Sequence, residues 1–177
     1  MRPSSIGHVV LEGRGTKPMP HTADLCDTYP DKVRVLAPLF THYGGRQVFH
    51  GPIETILAYE DNSRVREALS EPGEGRVLVI DGGASLRRSM VGGDLAKLAA
   101  ANGWAGILVH GAARDAHELE AEQLGVLALG LIPRKTDKRS LGTRGISVSF
   151  AGVTFAPGDW LYADRDGVVV SAGKLEI

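Results

Sequence analysis

The sequence predicts an α/β domain with a parallel βαβ core and added antiparallel strands, and three observations carry that reading. Two short apolar runs without polar alternation, RVLVIDGG (76–83) and WAGILVHG (104–111), have the composition of strands buried on both faces. Between them, DLAKLAAANG (94–103) sets Leu95, Leu98 and Ala99 on one helical face and ends on Asn102-Gly103, a stop signal. The last third, ISVSFAGVTFAPGDWLYADRDGVVVSAGK, is β-rich, with turns at Ala-Gly, Pro-Gly-Asp and Asp-Arg-Asp-Gly. Strand, helix, strand in that order predicts a right-handed crossover between parallel strands.

The remaining elements follow in chain order. Residues 1–20 are expected to form a flexible arm ahead of a single domain over 21–177. Within HTADLCDTYPDK, Thr22 is expected to cap a short helix over Ala23–Tyr29 that Pro30 stops. RVLAPLF and GGRQVFHGPIETILAYED alternate apolar and polar residues and predict strands. DNSRVREALSEPGEG predicts a helix with a Ser or Asn cap, closed by Pro-Gly. DAHELEAEQLG predicts a short helical turn, VLALGLIPRK a further strand, and KTDKRSLGTRG an exposed basic loop.

A chain of 177 residues suits one domain with a sizeable core. Net charge is −1 with both signs interspersed, which argues against direct nucleic-acid binding. The single cysteine, Cys26, excludes an intrachain disulfide and a cysteine-rich metal site. The longest nearly apolar run, LGVLALGLIP, is too short to cross a bilayer, and the N-terminus lacks the apolar core of a secretory signal. A cytoplasmic protein is the expectation, with no membrane partner.

Two turns carry the candidate chemistry, since ligands of open α/β sheets collect where strands end and helices begin. Gly92-Gly93-Asp94-Leu95 opens the central helix, where free amide groups favour an anion and glycines allow close approach. Arg114-Asp115 follows the next strand. Arg114 offers a planar fork for a carboxylate or an enolate oxygen, and Asp115 is a hard oxygen ligand suited to Mg²⁺ or Mn²⁺. Whether the two turns meet depends on the fold of the intervening loop DGGASLRRSMVGG. Read alone, each is also what an ordinary capped turn and a solvated ion pair look like.

Taken together, TADLCDTY, YGGRQVFHGPI, YEDN, GRVLVIDGGASLRRSMVGGDLAKLAAANGWAGILVHGAARD and AGVTFAPGDWLYADRDGVVV resemble the regulator of ribonuclease E activity A family. That superfamily also holds the class II 4-hydroxy-4-methyl-2-oxoglutarate aldolases, and the resemblance runs from about Thr22 to Val170. It implies a β/β/α swivelling sandwich, assembled as a homotrimer or paired into a hexamer, with a site between subunits. It implies a lyase that cleaves 4-carboxy-4-hydroxy-2-oxoacids to pyruvate and decarboxylates oxaloacetate. Gly92, Gly93, Asp94, Leu95 and Arg114 would bind the 2-oxoacid, Arg114 and Asp94 would be catalytic, and Asp115 would anchor the divalent metal. The aldolase signature, Asp, twenty residues, then Arg-Asp, places its first carboxylate at Gly93, whereas this chain carries it at Asp94. The C-terminal extension that completes some aldolase sites has no evident counterpart.

The same resemblance implies an alternative: a regulator that inhibits an endonuclease, ribonuclease E, by binding its scaffold region, without catalysis. His110, His117, Trp104 and Trp160 are expected to be packing or surface residues. Asp164–Gly167 (DRDG) lacks the further ligands of a calcium loop and predicts a turn into a strand.

Overall fold

The parallel core forms where the apolar runs predict it. In the computed structural model, which describes residues 18–176, the helices are α1 (Thr22–Thr28), α2 (Ser63–Leu69), α3 (Gly93–Ala101) and α4 (Ala116–Ala121). The first seven strands are β1 (Val33–Val35), β2 (Thr41–His42), β3 (Phe49–Leu57), β4 (Val77–Asp81), β5 (Ser89–Val91), β6 (Gly106–Ala113) and β7 (Gly125–Leu131). Five more follow: β8 (Thr143–Arg144), β9 (Val148–Phe150), β10 (Val153–Phe155), β11 (Trp160–Ala163) and β12 (Val168–Ser171). The arm expected over 1–20 falls, for residues 1–17, outside the described residues.

β3, β4, β6 and β7 are parallel neighbours, with Val77 opposite Gly106 and Asp81 opposite His110. β11, β12 and β1 continue the sheet in antiparallel fashion from the other edge of β3. Side chains on the two faces of the parallel strands therefore enter two different cores. Leu78, Ile80, Ile107 and Val109 pack under α2, α3 and α4 with Val65, Leu69, Leu95 and Ala99. Val77, Val79 and Leu108 face the antiparallel strands and meet Phe155, Leu161 and Val170. The result is the sheet-on-sheet-on-helix sandwich of the expected class. Among the described residues no helix is long and apolar enough to cross a membrane.

Several local expectations are corrected. RVLAPLF is a strand only at its start, because Pro38 has no amide to donate to a ladder. Thr22 is the first residue of α1 and not its cap: its amide and hydroxyl donate to Asp164 at 2.6 and 2.8 Å. Asn62 precedes α2 without a side-chain cap bond; Asp61 instead accepts the Ser63 amide at 2.9 Å. The same buried carboxylate accepts the Arg139 amide at 2.6 Å and so pins the basic loop, which also contains the short strand β8. DRDG is a turn, as expected, but Asp164 is 3 % exposed and clamps α1 to the sheet.

Burial pushes the Asp164 carboxyl up, but hydrogen bonds from Thr22, Asp166 and Gly167 outweigh it and hold it below its ordinary range. Its contribution is thus complete above the unfolded carboxylate value, roughly 3.9, and is lost as pH falls through the folded one. Asp164→Ala strands four donors and should cost about 2–4 kcal/mol in urea unfolding. The variant should also show a shallower loss of stability below pH 4 than the parent, about where carboxylates titrate.

Candidate active site at the start of α3

Gly92 and Gly93 reach Arg114 because the loop after β4 returns as an unexpected strand. β5 runs parallel to the end of β6, with Val91 opposite Ala113, and the Arg114 amide donates to the Val91 carbonyl at 2.9 Å. The start of α3 is thereby laid against Arg114-Asp115. The Gly93 amide donates to Asp115 Oδ2 at 3.1 Å, and Arg114 Nε lies 3.6 Å from the same oxygen. A second guanidinium nitrogen of Arg114 donates to the Pro133 carbonyl at 3.4 Å. The first intrahelical bond of α3 runs from the Ala96 amide to the Gly92 carbonyl, so the Asp94 and Leu95 amides have no acceptor among the described residues. Two open amides at the positive end of a helix and one partly exposed guanidinium form a corner suited to a small carboxylate.

The absence of side chains at 92 and 93 lets Asp115, Arg114 and Glu118 approach this closely. A Cβ on Gly92 would stand 2.8 Å from Asp115 Oδ2 and 3.2 Å from Arg114 Nε. A Cβ on Gly93 would run into the Glu118 carboxylate. Glu118, in the first turn of α4 and three residues after the Asp115 that precedes it, escaped the sequence reading. Lys97, one turn into α3, binds Glu118 Oε2 at 2.7 Å, and this hydrogen bond raises the ammonium pKa.

The structure thus gathers Gly92, Gly93, Arg114 and Asp115 with Glu118. Leu95 contributes its amide alone, since its side chain is buried in the helix-side core. Asp94 is exposed on the first turn of α3 and makes no hydrogen bond among the described residues. His110 lies on the other face of the sheet, stacked on Phe150 at 4.6 Å with Nδ1 3.3 Å from Asp81, and His117 is exposed. Trp104 is a core residue, whereas Trp160 is half-buried against Tyr162. A cavity of about 510 Å³ between Asp31–Arg34 and Ser171–Leu175 lies at the antiparallel edge, away from this corner.

The model of the family described as RraA-like, Aldolase/RraA, matches residues 22–170. The chain belongs to the RraA-like family. A relative from Alkalilimnicola ehrlichii, named "Putative 4-hydroxy-4-methyl-2-oxoglutarate aldolase", is 54 % identical over 87 % of this chain and 96 % of its own length. One of the same name from Xanthomonas campestris pv. campestris is 54 % identical over 88 % and 93 %. Two solved structures superpose with a TM-score of 0.87. One, the RNA-processing inhibitor RraA from Thermus thermophilis, is 41 % identical and covers 90 % of this chain and 96 % of its own. The other, described as an S-adenosylmethionine:2-dimethylmenaquinone methyltransferase from Geobacillus kaustophilus, is 44 % identical over 88 % and 97 %.

In this RraA-like chain, Asp115 is the carboxylate that could hold a hard divalent cation. Its carboxylate is partly exposed beside the Gly93 amide, and Mg²⁺ commonly needs only one or two such ligands besides water. No cluster of three or more His, Cys, Asp or Glu side chains suited to a metal occurs among the described residues, so an all-protein cage is not on offer. Gly92→Ala tests the corner directly. The new methyl meets side-chain atoms able to move, so unfolding free energy should change by less than about 1 kcal/mol. Binding of pyruvate or oxalate, read by calorimetry, should weaken at least about tenfold as Arg114 and Asp115 are displaced.

Proposed function

We propose that this protein is a divalent-metal-dependent lyase that cleaves 4-hydroxy-4-methyl-2-oxoglutarate and related 4-carboxy-4-hydroxy-2-oxoacids to pyruvate and also decarboxylates oxaloacetate. The observation that carries the reading is the placing of Arg114 and Asp115 against the open amides of α3. The names of the RraA-like relatives point to the same chemistry.

The amides of Asp94 and Leu95 take the pyruvyl carboxylate, and the Arg114 guanidinium stands beside the 2-oxo oxygen. Asp115, with water, would hold Mg²⁺ or Mn²⁺, which when bound supplies Lewis-acid polarisation of that oxo group. In the retro-aldol step a carboxylate accepts the proton of the 4-hydroxyl, whose oxygen becomes the carbonyl of the C4 fragment as the C3–C4 bond breaks. That bond's electron pair passes to the 2-oxo oxygen as an enolate, and a proton returned to C3 gives pyruvate. Arg114 stabilises that charge where it develops. Glu118 is the carboxylate that fills the place a side chain at 93 would take, while Asp94 lies one position along the helix and is exposed. Oxaloacetate loses its C4 carboxylate as carbon dioxide and reaches the same enolate without a base; a proton at C3 then gives pyruvate.

A homotrimer, alone or paired as a hexamer, in the cytoplasm belongs to the same reading. Tyr59, Leu86 and Leu131 are exposed large apolar side chains at the C-terminal edge of the parallel strands, a feature of contact surfaces. The resemblance to the inhibitor from Thermus thermophilis supports a second reading, a ribonuclease E-binding regulator. Calorimetry against the nuclease scaffold tests it, and heat-silent mixing at micromolar concentrations would count against it.

With Mg²⁺ or Mn²⁺, a coupled assay should show pyruvate released from both substrates. Asp115→Ala should lower metal-dependent turnover by at least about a hundredfold while the melting temperature stays within a few degrees, as befits a partly exposed ligand. A folded, metal-loaded protein that releases no pyruvate from either substrate overturns the lyase reading.

A further inference from the structure

We infer that Lys97 is a positioning residue that holds the Glu118 carboxylate against Gly93, and that residues 93 and 118 are mutually exclusive carriers of the carboxylate at this place. The inference rests on the lyase reading for its catalytic consequence but not for its geometry. A Cβ built on Gly93 overlaps the Glu118 carboxylate and falls 2.8 Å from Glu118 Cβ, so the two side chains compete for one volume. Glu118 Cβ belongs to a stem fixed on α4 and cannot swing away as a flexible tip would. Any side chain at 93 therefore evicts Glu118 or separates α3 from α4.

Lys97 supplies the hold. It lies four residues after Gly93, hence on the same face of α3, and its Nζ meets Glu118 Oε2 at 2.7 Å. The pair joins the two helices whose starts carry the open amides on one side and Arg114-Asp115 on the other. Asp94 and Glu122 also act on the Lys97 ammonium, yet Glu118 is the group that it touches. Lys97 is 55 % exposed, so the bond adds little to stability in high-dielectric surroundings. Its effect is geometric: with Oε2 tied to Lys97, the carboxylate keeps one orientation, and Oε1, 3.8 Å from the exposed His117 Nε2 and without a hydrogen bond among the described residues, faces the substrate hydroxyl.

Two measurements on the intact protein separate this inference from the lyase reading. The first is independent of turnover: the Glu118 side-chain carboxyl signal in ¹³C NMR, assigned with Glu118→Gln. Lys97→Met should move and broaden it, Lys97→Arg should restore it, and Gly93→Asp should displace it as the Lys97 variant does. The second is kinetic, on 4-hydroxy-4-methyl-2-oxoglutarate with Mn²⁺. Lys97→Met should lower kcat about tenfold or more with KM within about twofold, and Lys97→Arg should recover most of the loss. Oxaloacetate decarboxylation, which needs no hydroxyl proton removed, should change by less than about threefold. Mn²⁺ affinity, read by electron paramagnetic resonance, should be unchanged in Lys97→Met. A Glu118 signal indifferent to Lys97→Met overturns the inference. So does an equal loss in both reactions, which would mark a general structural role. Absence of turnover in the parent, with the NMR response intact, defeats the lyase reading and leaves the hold of Lys97 on Glu118 standing.

Discussion

One backbone hydrogen bond, from the Arg114 amide to the Val91 carbonyl, brings the two halves of the site together. In an ordinary βαβ unit the loop after the first strand leads straight into the helix, and the end of the next strand carries its own turn. Here the loop detours and lays β5 beside the end of β6 before α3 begins. The detour brings Gly92 and Gly93 into contact with residues two elements later in sequence. Every functional distance in the corner, Gly93 to Asp115 and Gly93 to Glu118, depends on that short parallel pairing.

Asp115 completes the arrangement through an uncommon backbone conformation. It sits in the left-handed region at φ 60° and ψ 48°, where Asp is among the better-tolerated side chains. Its carbonyl accepts the amides of Glu118 and Leu119 and so starts α4, while its Oδ2 reaches back to the Gly93 amide. A single residue thus ends the strand, opens the helix and ties both to α3. Strain of this kind persists where the surroundings over-determine it, and it clusters at functional sites.

What the sequence made legible follows from periodicity and punctuation. The buried strands β4 and β6, the helix α3 with its Asn102-Gly103 end, and the Ala151-Gly152 turn were all readable, because each is fixed by local composition. β5 was not: three residues in a Gly-rich loop carry no period, and its pairing, Val91 with Ala113, depends on the end of a strand on the far side of α3. The caps failed for the same reason. Thr22 and Asn62 are good capping residues, but Asp164 and Asp61, buried and distant or adjacent without the usual spacing, take the amides instead. Gly92, Gly93, Arg114 and Asp115 could be named in advance from motif chemistry, whereas Glu118 and Lys97 required a contact between α3 and α4.

That contact also brings a carboxylate to the place a side chain at 93 would take, although the sequence carries its own acid one residue later. Moving an acid from 93 to 94 on a helix rotates it by about 100° and carries it off the face toward Arg114. Asp94 accordingly points to solvent. The vacancy at 93 is not empty space, because α4 fills it from the opposite side with Glu118. The carboxylate at this corner thus comes from α4 and not from the first turn of α3. A spacing rule counted along one strand–helix unit cannot register a carboxylate that reaches the same place from the next helix.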